Sequence, residues 1–327
     1  MIALEARDVV VEFESRGSSL RAVSGVSIRV NAGESVGIVG DSGSGKSSLL
    51  LALLGTARPG GLIASGSIKY DGVEILGARP RVVAEVRRKQ VGFITQHPKA
   101  SFNPLARVGD QIVSVLLRSG QSASKSEAKI AAFELFRSVG MADPGQRLRA
   151  YPHELSGGMA QRALIALAMA KKPRVLLADE PTSGLDVTLQ AQVLDTIREG
   201  AKALGSSLVI VTHDIGVVAE YCDRVYLMSS GEVVEEAAVS SFLTRPRHPA
   251  ALALLATDEE HDAGKFRLLG LPPDRRHLPQ GCYLNRRCAF AATDAGCFDA
   301  HPEFEETVGE HRVRCHRHEL VAAARDA

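Results

Sequence analysis

Three observations predict an α/β fold, a parallel sheet with helices on both faces. From Arg162 to Val233, short apolar runs at 175–178, 208–211 and 225–228 alternate with helix-period segments at 187–204 and 215–221. Strands buried on both faces and joined by crossover helices leave that pattern. A glycine- and serine-rich stretch, Gly40-Asp-Ser-Gly-Ser-Gly-Lys46-Ser47, lies between the apolar run Ser35–Val39 and a breaker-free apolar run at 49–54. Apolar residues make up 45% of the 327 residues at a mean hydropathy of +0.01, enough for a sizeable core in a water-soluble chain.

Taken in order, residues 4–13 and 23–30 read as strands, followed by a turn at 31–34 and a buried strand at Ser35–Val39. The run at 49–54 reads as a helix. Tyr70-Asp71-Gly72 marks a hairpin within 67–75, and 91–95 is a further strand. Between Pro98 and Gly158 the pattern turns helical, with helices expected at 108–117, 124–139 and 152–155. The character changes near residue 240. Thr244-Arg-Pro-Arg-His-Pro249 is followed by three more prolines between 270 and 279. The stretch 281–327 holds four of the five cysteines and four of the ten histidines, with too little apolar content to fold on a core of its own.

Charge and hydropathy exclude some roles. A net charge of +1 does not support nucleic-acid or lipid-surface binding by bulk charge. The first residues, MIALEARDVVVEFESRG, lack the basic start and apolar core of a secretion signal. The longest apolar stretches, such as 163–170, fall far short of the roughly 20 residues that cross a bilayer. The expected location is cytoplasmic, with any membrane role exercised through a partner. In a reducing compartment, the crowded cysteines point away from structural disulfides, and Cys222 reads as a small core residue.

Gly40 to Ser47 matches GxxxxGK[ST] in full, after a strand and before a helix. Glycines at 40, 43 and 45 let backbone N–H groups turn inward around phosphates, and the helix N-terminus adds a favourable dipole. Ser42, Ser44 and Ser48 belong to the same cradle; Lys46 would neutralise phosphate charge and Ser47 would ligand Mg²⁺. Downstream, the apolar run after Arg174 ends in Asp179-Glu180. Asp179 at the strand end would hold Mg²⁺, and Glu180, beyond the metal, would polarise an attacking water. An acidic pair at a strand end is most often merely solvated; downstream of a phosphate loop it becomes a catalytic candidate.

Leu155-Ser156-Gly157-Gly158-Met159-Ala160-Gln161-Arg162 resembles the signature motif of ABC ATPases. A serine and two glycines opening a helix form a second anion site, although Ser156 is equally well placed as an ordinary helix cap. The resemblance implies the ABC ATPase fold: a RecA-like phosphate-loop core, an antiparallel β subdomain and a helical subdomain at about 98–160. The ATPase domain would span 1–243, and a small cysteine-bearing extension 244–327. It further implies that Gln96 senses Mg²⁺ and water near the docking site of a transmembrane partner. His213 would contact the γ-phosphate, Ser183-Gly-Leu-Asp186 would form the D-loop, and Phe13 would stack on adenine. A lone strand Phe is otherwise usually core, and a strand-end His usually structural. Ser156, Gly157 and Gly158 would face the nucleotide of a second subunit.

Tyr151-Pro-His-Glu-Leu-Ser-Gly-Gly-Met, Pro181-Thr-Ser-Gly-Leu-Asp-Val-Thr-Leu-Gln and Ser101-Phe-Asn-Pro resemble the peptide, nickel and opine importer group, across nearly the whole chain. His97 stands where Asp is common in that group, and Ala160 where Arg is common; neither change removes a catalytic group. The resemblance implies ATP hydrolysis coupled to import of di- or oligopeptides. Nickel, opine, metallophore or glutathione import are the alternatives. A non-transport ABC ATPase is disfavoured by the single phosphate loop and the absence of heptads. The implied partners are a second, non-identical ATPase subunit, two permease subunits and an extracytoplasmic binding protein, with no nucleic acid, at the cytoplasmic face of the membrane. In the tail, Cys282, Cys288, Cys297 and Cys315 lack the paired spacing of a zinc ribbon. Their thiolates suit a [4Fe–4S] cluster, which the resemblance implies for some members, or Zn²⁺, or remain metal-free.

Overall fold

The computed structural model describes residues 1–15, 18–256, 268–271 and 273–324. Two compact units are present. One comprises Met1–Leu4, Val30–Ser35 and Lys69–Val211; the other comprises Glu5–Arg29, Val36–Ile68 and Thr212–Ala327.

The first unit is organised on three parallel strands. Val175–Asp179 lies between Val91–Ile94 and Ser207–Val211, with Ala178 opposite Ile94 and Asp179 opposite Val211. Ser207–Val211 is buried throughout, and Val175–Asp179 is buried except at Asp179. A run of apolar residues with no polar alternation suits a strand covered on both faces, so Asp179 is where the strand meets solvent. The helices Gly157–Met169 and Val187–Leu204 pack on each other. Val108–Ser119 and Lys125–Ser138 form a helical region. Ser124 caps the second of these by accepting the Glu127 N–H at 3.2 Å, while the Glu127 carboxylate accepts the Ala123 N–H at 2.8 Å.

Three sequence expectations shift. The helix expected at 152–155 is a single 3₁₀ turn, Pro152–Glu154, because Pro152 can start a turn but the chain extends again at Leu155. The helix expected at 49–54 begins earlier, at Lys46. A helix at Pro80–Lys89 was not expected; it is strongly polar and buries only Val86, so no apolar run announces it.

The second unit holds most of the strands Ile2–Ser15, Ser18–Asn31 and Gly61–Tyr70, ordered with the first in the middle. Ser35–Val39 pairs in parallel with Arg224–Ser229, which pairs antiparallel with Glu232–Ala238. Two short tail strands, Arg312–Val313 and Glu305–Glu306, extend that ladder. The tail has few buried apolar side chains. Leu284 joins a core cluster of Val39, Val218, Leu227, Phe242 and Leu255, and Cys282 and Cys288 pack against the cluster. Cys222 does so too, and all five cysteines are free thiols. Among the described residues, no helix is long and apolar enough to cross a membrane.

Candidate functional site

In the second unit, the strand Ser35–Val39 runs into the loop 40–45 and then into the helix Lys46–Leu53. Two loop positions require glycine. A Cβ at Gly40 would collide with the Met228 carbonyl, and one at Gly45 with the Ala22 carbonyl; their φ values are 148° and 109°. The Asp41–Ser44 turn is closed by Ser44 N–H to Asp41 C=O at 3.1 Å. Asp41, Ser42 and Gly43 are exposed, Ser44 and Lys46 buried, and Ser47 and Ser48 partly so. The Lys46 ammonium folds back onto the loop, donating to the Gly40 carbonyl at 2.6 Å and the Asp41 carbonyl at 2.9 Å. The lysine therefore folds over a tight turn between a strand and a helix N-terminus, a place suited to an anion.

His213 is exposed, held between two fixed neighbours. Thr212 donates its N–H to Ile38 at 3.1 Å, and Asp214 caps the helix Ile215–Tyr221 by accepting from Gly216 and Val217. Phe13 is half-buried, its ring edge against Gly61, where a Cβ would come within 2.6 Å of Cε1.

The first unit carries the acids. Glu180 follows the strand end with φ of 44°, a left-handed conformation that costs a non-glycine residue of order 1 kcal/mol. Its N–H donates to the Val211 carbonyl at 2.9 Å, which fixes the turn. The Gln96 amide donates to the Glu180 carboxylate at 3.1 Å and to the Ser183 hydroxyl at 3.2 Å. Gln96 and Glu180, 84 positions apart in sequence, are thus brought into direct contact. Ser156 caps the helix Gly157–Met169, its hydroxyl accepting the Met159 N–H at 3.3 Å. Gly157 faces open space, and Gly158 lies against the Leu189 side chain. Asp186 caps the helix Val187–Leu204 through the Leu189 N–H at 3.0 Å.

Sequence reasoning gave no role to Gln161. It is buried and donates to the Pro181 carbonyl at 2.8 Å, tying the signature helix to the residue after Glu180. Its place beside the signature residues was the one available signal.

Two stretches match known families: residues 23–183 match the ABC transporter model, and 234–297 match the C-terminal region of oligopeptide/dipeptide transporters. The dipeptide transport ATP-binding protein DppD of Haemophilus influenzae is 37% identical over 319 residues, covering 97% of this chain and 96% of that protein. The chain belongs to the ABC transporter ATP-binding proteins. The oligopeptide transport ATP-binding protein OppD of Mycobacterium tuberculosis is 39% identical over 97% of this chain. The chain spans about half the length of that relative, 52%. A solved ATP-binding cassette dimer in a post-hydrolysis state with ADP and phosphate superposes with a TM-score of 0.65 at 26% identity. It covers 72% of this chain and 98% of its own. The expected ABC ATPase fold is therefore the fold of this family member.

The tail of this ABC protein carries the four remaining cysteines. Cys282, Cys288, Cys297 and Cys315 line one cavity of about 20 Å³ with His248 and His316. Cys282 N–H donates to the Cys297 carbonyl at 3.0 Å. Burial pushes the Cys282 thiol up to about 11 and the Cys315 thiol up to about 12, and raises Cys288. Among the described residues, no group of three or more His, Cys, Asp or Glu is arranged to hold a metal ion.

Proposed function

We propose that this chain hydrolyses ATP to energise the import of di- or oligopeptides, acting peripherally at the cytoplasmic face of a membrane beside permease subunits. The observation that carries the reading is Glu180, held in a left-handed turn at a strand end with the Gln96 amide on its carboxylate. A strained carboxylate fixed by a second polar side chain is what a positioned general base requires. The peptide substrate rests on the named functions of the relatives.

In this reading, backbone N–H groups of residues 40–48 and Lys46 take the phosphates. Ser47, Gln96 and Asp179 are the residues that would hold Mg²⁺, which would supply neutralising charge to the phosphates. Glu180 polarises the attacking water, His213 contacts the γ-phosphate, and Phe13 lies beside adenine. Ser156, Gly157, Gly158 and Asp186 serve the nucleotide of a second, non-identical ATPase subunit. The permease docks beside Gln96 in this reading. An extracytoplasmic binding protein delivers the solute.

The tail is the second part of the proposal. Four thiols line one cavity and are by type the donors of an iron–sulfur cluster or Zn²⁺, but among the described residues they are not arranged to hold a metal ion, so either group would require them to close on it. Burial holds Cys282, Cys288 and Cys315 in the thiol form, whereas ligation would require thiolates.

The decisive experiment is Glu180→Gln. ATP binding is expected to persist while turnover falls about 10²- to 10⁴-fold, the usual worth of a general base. Wild-type hydrolysis by that variant refutes the assignment.

A further inference from the structure

The phosphate loop is held from behind by the cysteine-bearing tail. Arg275 donates from one terminal nitrogen to the Gly43 carbonyl at 2.8 Å and from the other to the Ala22 carbonyl at 2.6 Å. The second nitrogen occupies the space that a side chain on Gly231 would fill. Gly231 itself braces the loop: its N–H donates to the Ser44 carbonyl at 2.9 Å, and its carbonyl accepts the Ser24 N–H at 2.8 Å. Two successive loop carbonyls, at Gly43 and Ser44, are thus fixed by donors from outside the loop. The C=O and N–H of a trans peptide point in opposite directions, so the donor on the Gly43 carbonyl also holds the Ser44 N–H in the bond that closes the Asp41–Ser44 turn, and the donor on the Ser44 carbonyl sets where the Gly45 N–H aims. The shape of that turn sets the shape of the phosphate cradle.

The same contacts lead back to the thiols within one unit. Arg275 lies within electrostatic reach of Glu232, the residue after Gly231. Glu232 pairs with His301 at 3.0 Å. The other ring nitrogen of His301 lies 3.3 Å from the Gly281 carbonyl, next to Cys282 at the thiol cavity.

We propose that Arg275 is a positioning residue for the phosphate loop and that, with Glu232 and His301, it couples the packing of the cysteine tail to ATP affinity. Both terminal nitrogens are bonded to carbonyls, so Arg275 acts through the loop. The inference rests on reading residues 40–48 as the phosphate loop.

The test titrates ATP into the full chain by calorimetry, with Arg275→Met, Arg275→Lys, Glu232→Gln and Lys46→Ala beside the wild type. Arg275→Met is expected to weaken ATP binding about tenfold, the worth of one charge-assisted hydrogen bond. Arg275→Lys, which keeps one donor, falls between, and Glu232→Gln shifts in the same direction. In the assembled transporter, KM for ATP rises with kcat unchanged, a split that loss of folded protein does not produce. Wild-type affinity in Arg275→Met, or a fall in kcat at constant KM, overturns the proposal. Should Arg275→Met not fold, Glu232→Gln decides, and wild-type affinity there overturns it. Full ATP affinity in Lys46→Ala refutes the phosphate-loop reading instead. Loss in Lys46→Ala with none in Arg275→Met overturns only the role of Arg275.

Discussion

Replacing Glu235 by alanine removes a carboxylate that is fully buried and joins three parts of the second unit. One oxygen accepts the Arg247 N–H at 2.9 Å and lies 2.7 Å from the His311 ring nitrogen; the other accepts the His248 N–H at 2.8 Å. Burial pushes this carboxyl above the usual range, and His311 and the two amides pull it back. Truncation leaves two buried amides and an imidazole without their acceptor. Each orphaned donor costs about 1–3 kcal/mol, so three of them come to roughly 3–9 kcal/mol. Glu235→Gln keeps one acceptor oxygen but turns an NH₂ toward a donor, and is expected to lose roughly half as much. Urea unfolding of the full chain, followed by circular dichroism, measures both, with the exposed Glu305→Ala as control. A Glu235→Ala chain within about 1 kcal/mol of wild type would refute the reasoning, since ordinary substitutions cost that much.

Two further outcomes follow from the tail. His301 is depressed by burial, but the hydrogen bond and charge of Glu232, aided by the Gly281 carbonyl, outweigh burial and the nearby Arg314, so its folded value lies above 6.5. The folded state then holds its proton more tightly, so the contribution is full below about pH 6.5 and lost as pH rises through the folded value. Thermal melts of wild type and His301→Asn should converge as pH rises, and a constant difference would contradict this. Anaerobically purified chain with an iron–sulfur cluster shows broad visible absorption that Cys288→Ser and Cys297→Ser remove; colourless protein containing zinc identifies the other occupant, and colourless metal-free protein sinks both.

The phosphate loop was legible because its constraints are local. Gly40 and Gly45 are dictated by carbonyls that leave no room for a Cβ, and the pattern shows wherever such a turn joins a strand to a helix. The parallel strands were legible for a related reason: burial on both faces writes uninterrupted apolar runs. What stayed hidden depends on distant partners. Arg275 lies 232 positions from Gly43, in a stretch whose prolines announce only irregular backbone. Glu235 sits in a strand, Glu232–Ala238, with three glutamates in seven residues, and acidic residues read as solvent-facing until their partners are known. The helix Pro249–Ala256 is almost wholly buried, so it shows no amphipathic period and gave no helix signal in the sequence. The left-handed φ of Glu180 leaves no trace in the residue type, since only glycine or asparagine there would have announced it.

The two charged groups assigned to chemistry are each engaged within their own unit. Lys46 is bonded to loop carbonyls, and Glu180 accepts from Gln96. Binding a nucleotide therefore exchanges bonds and does not simply add them. Lys46 must leave two carbonyls to reach phosphate oxygens, so its net gain is the difference between a charge–charge and a charge–dipole contact. Affinity then depends on how the loop backbone is held, which is set by the donors on the Gly43 and Ser44 carbonyls. This is why Arg275, which makes no contact with phosphate in this arrangement, is expected to move ATP affinity while leaving the chemical step alone.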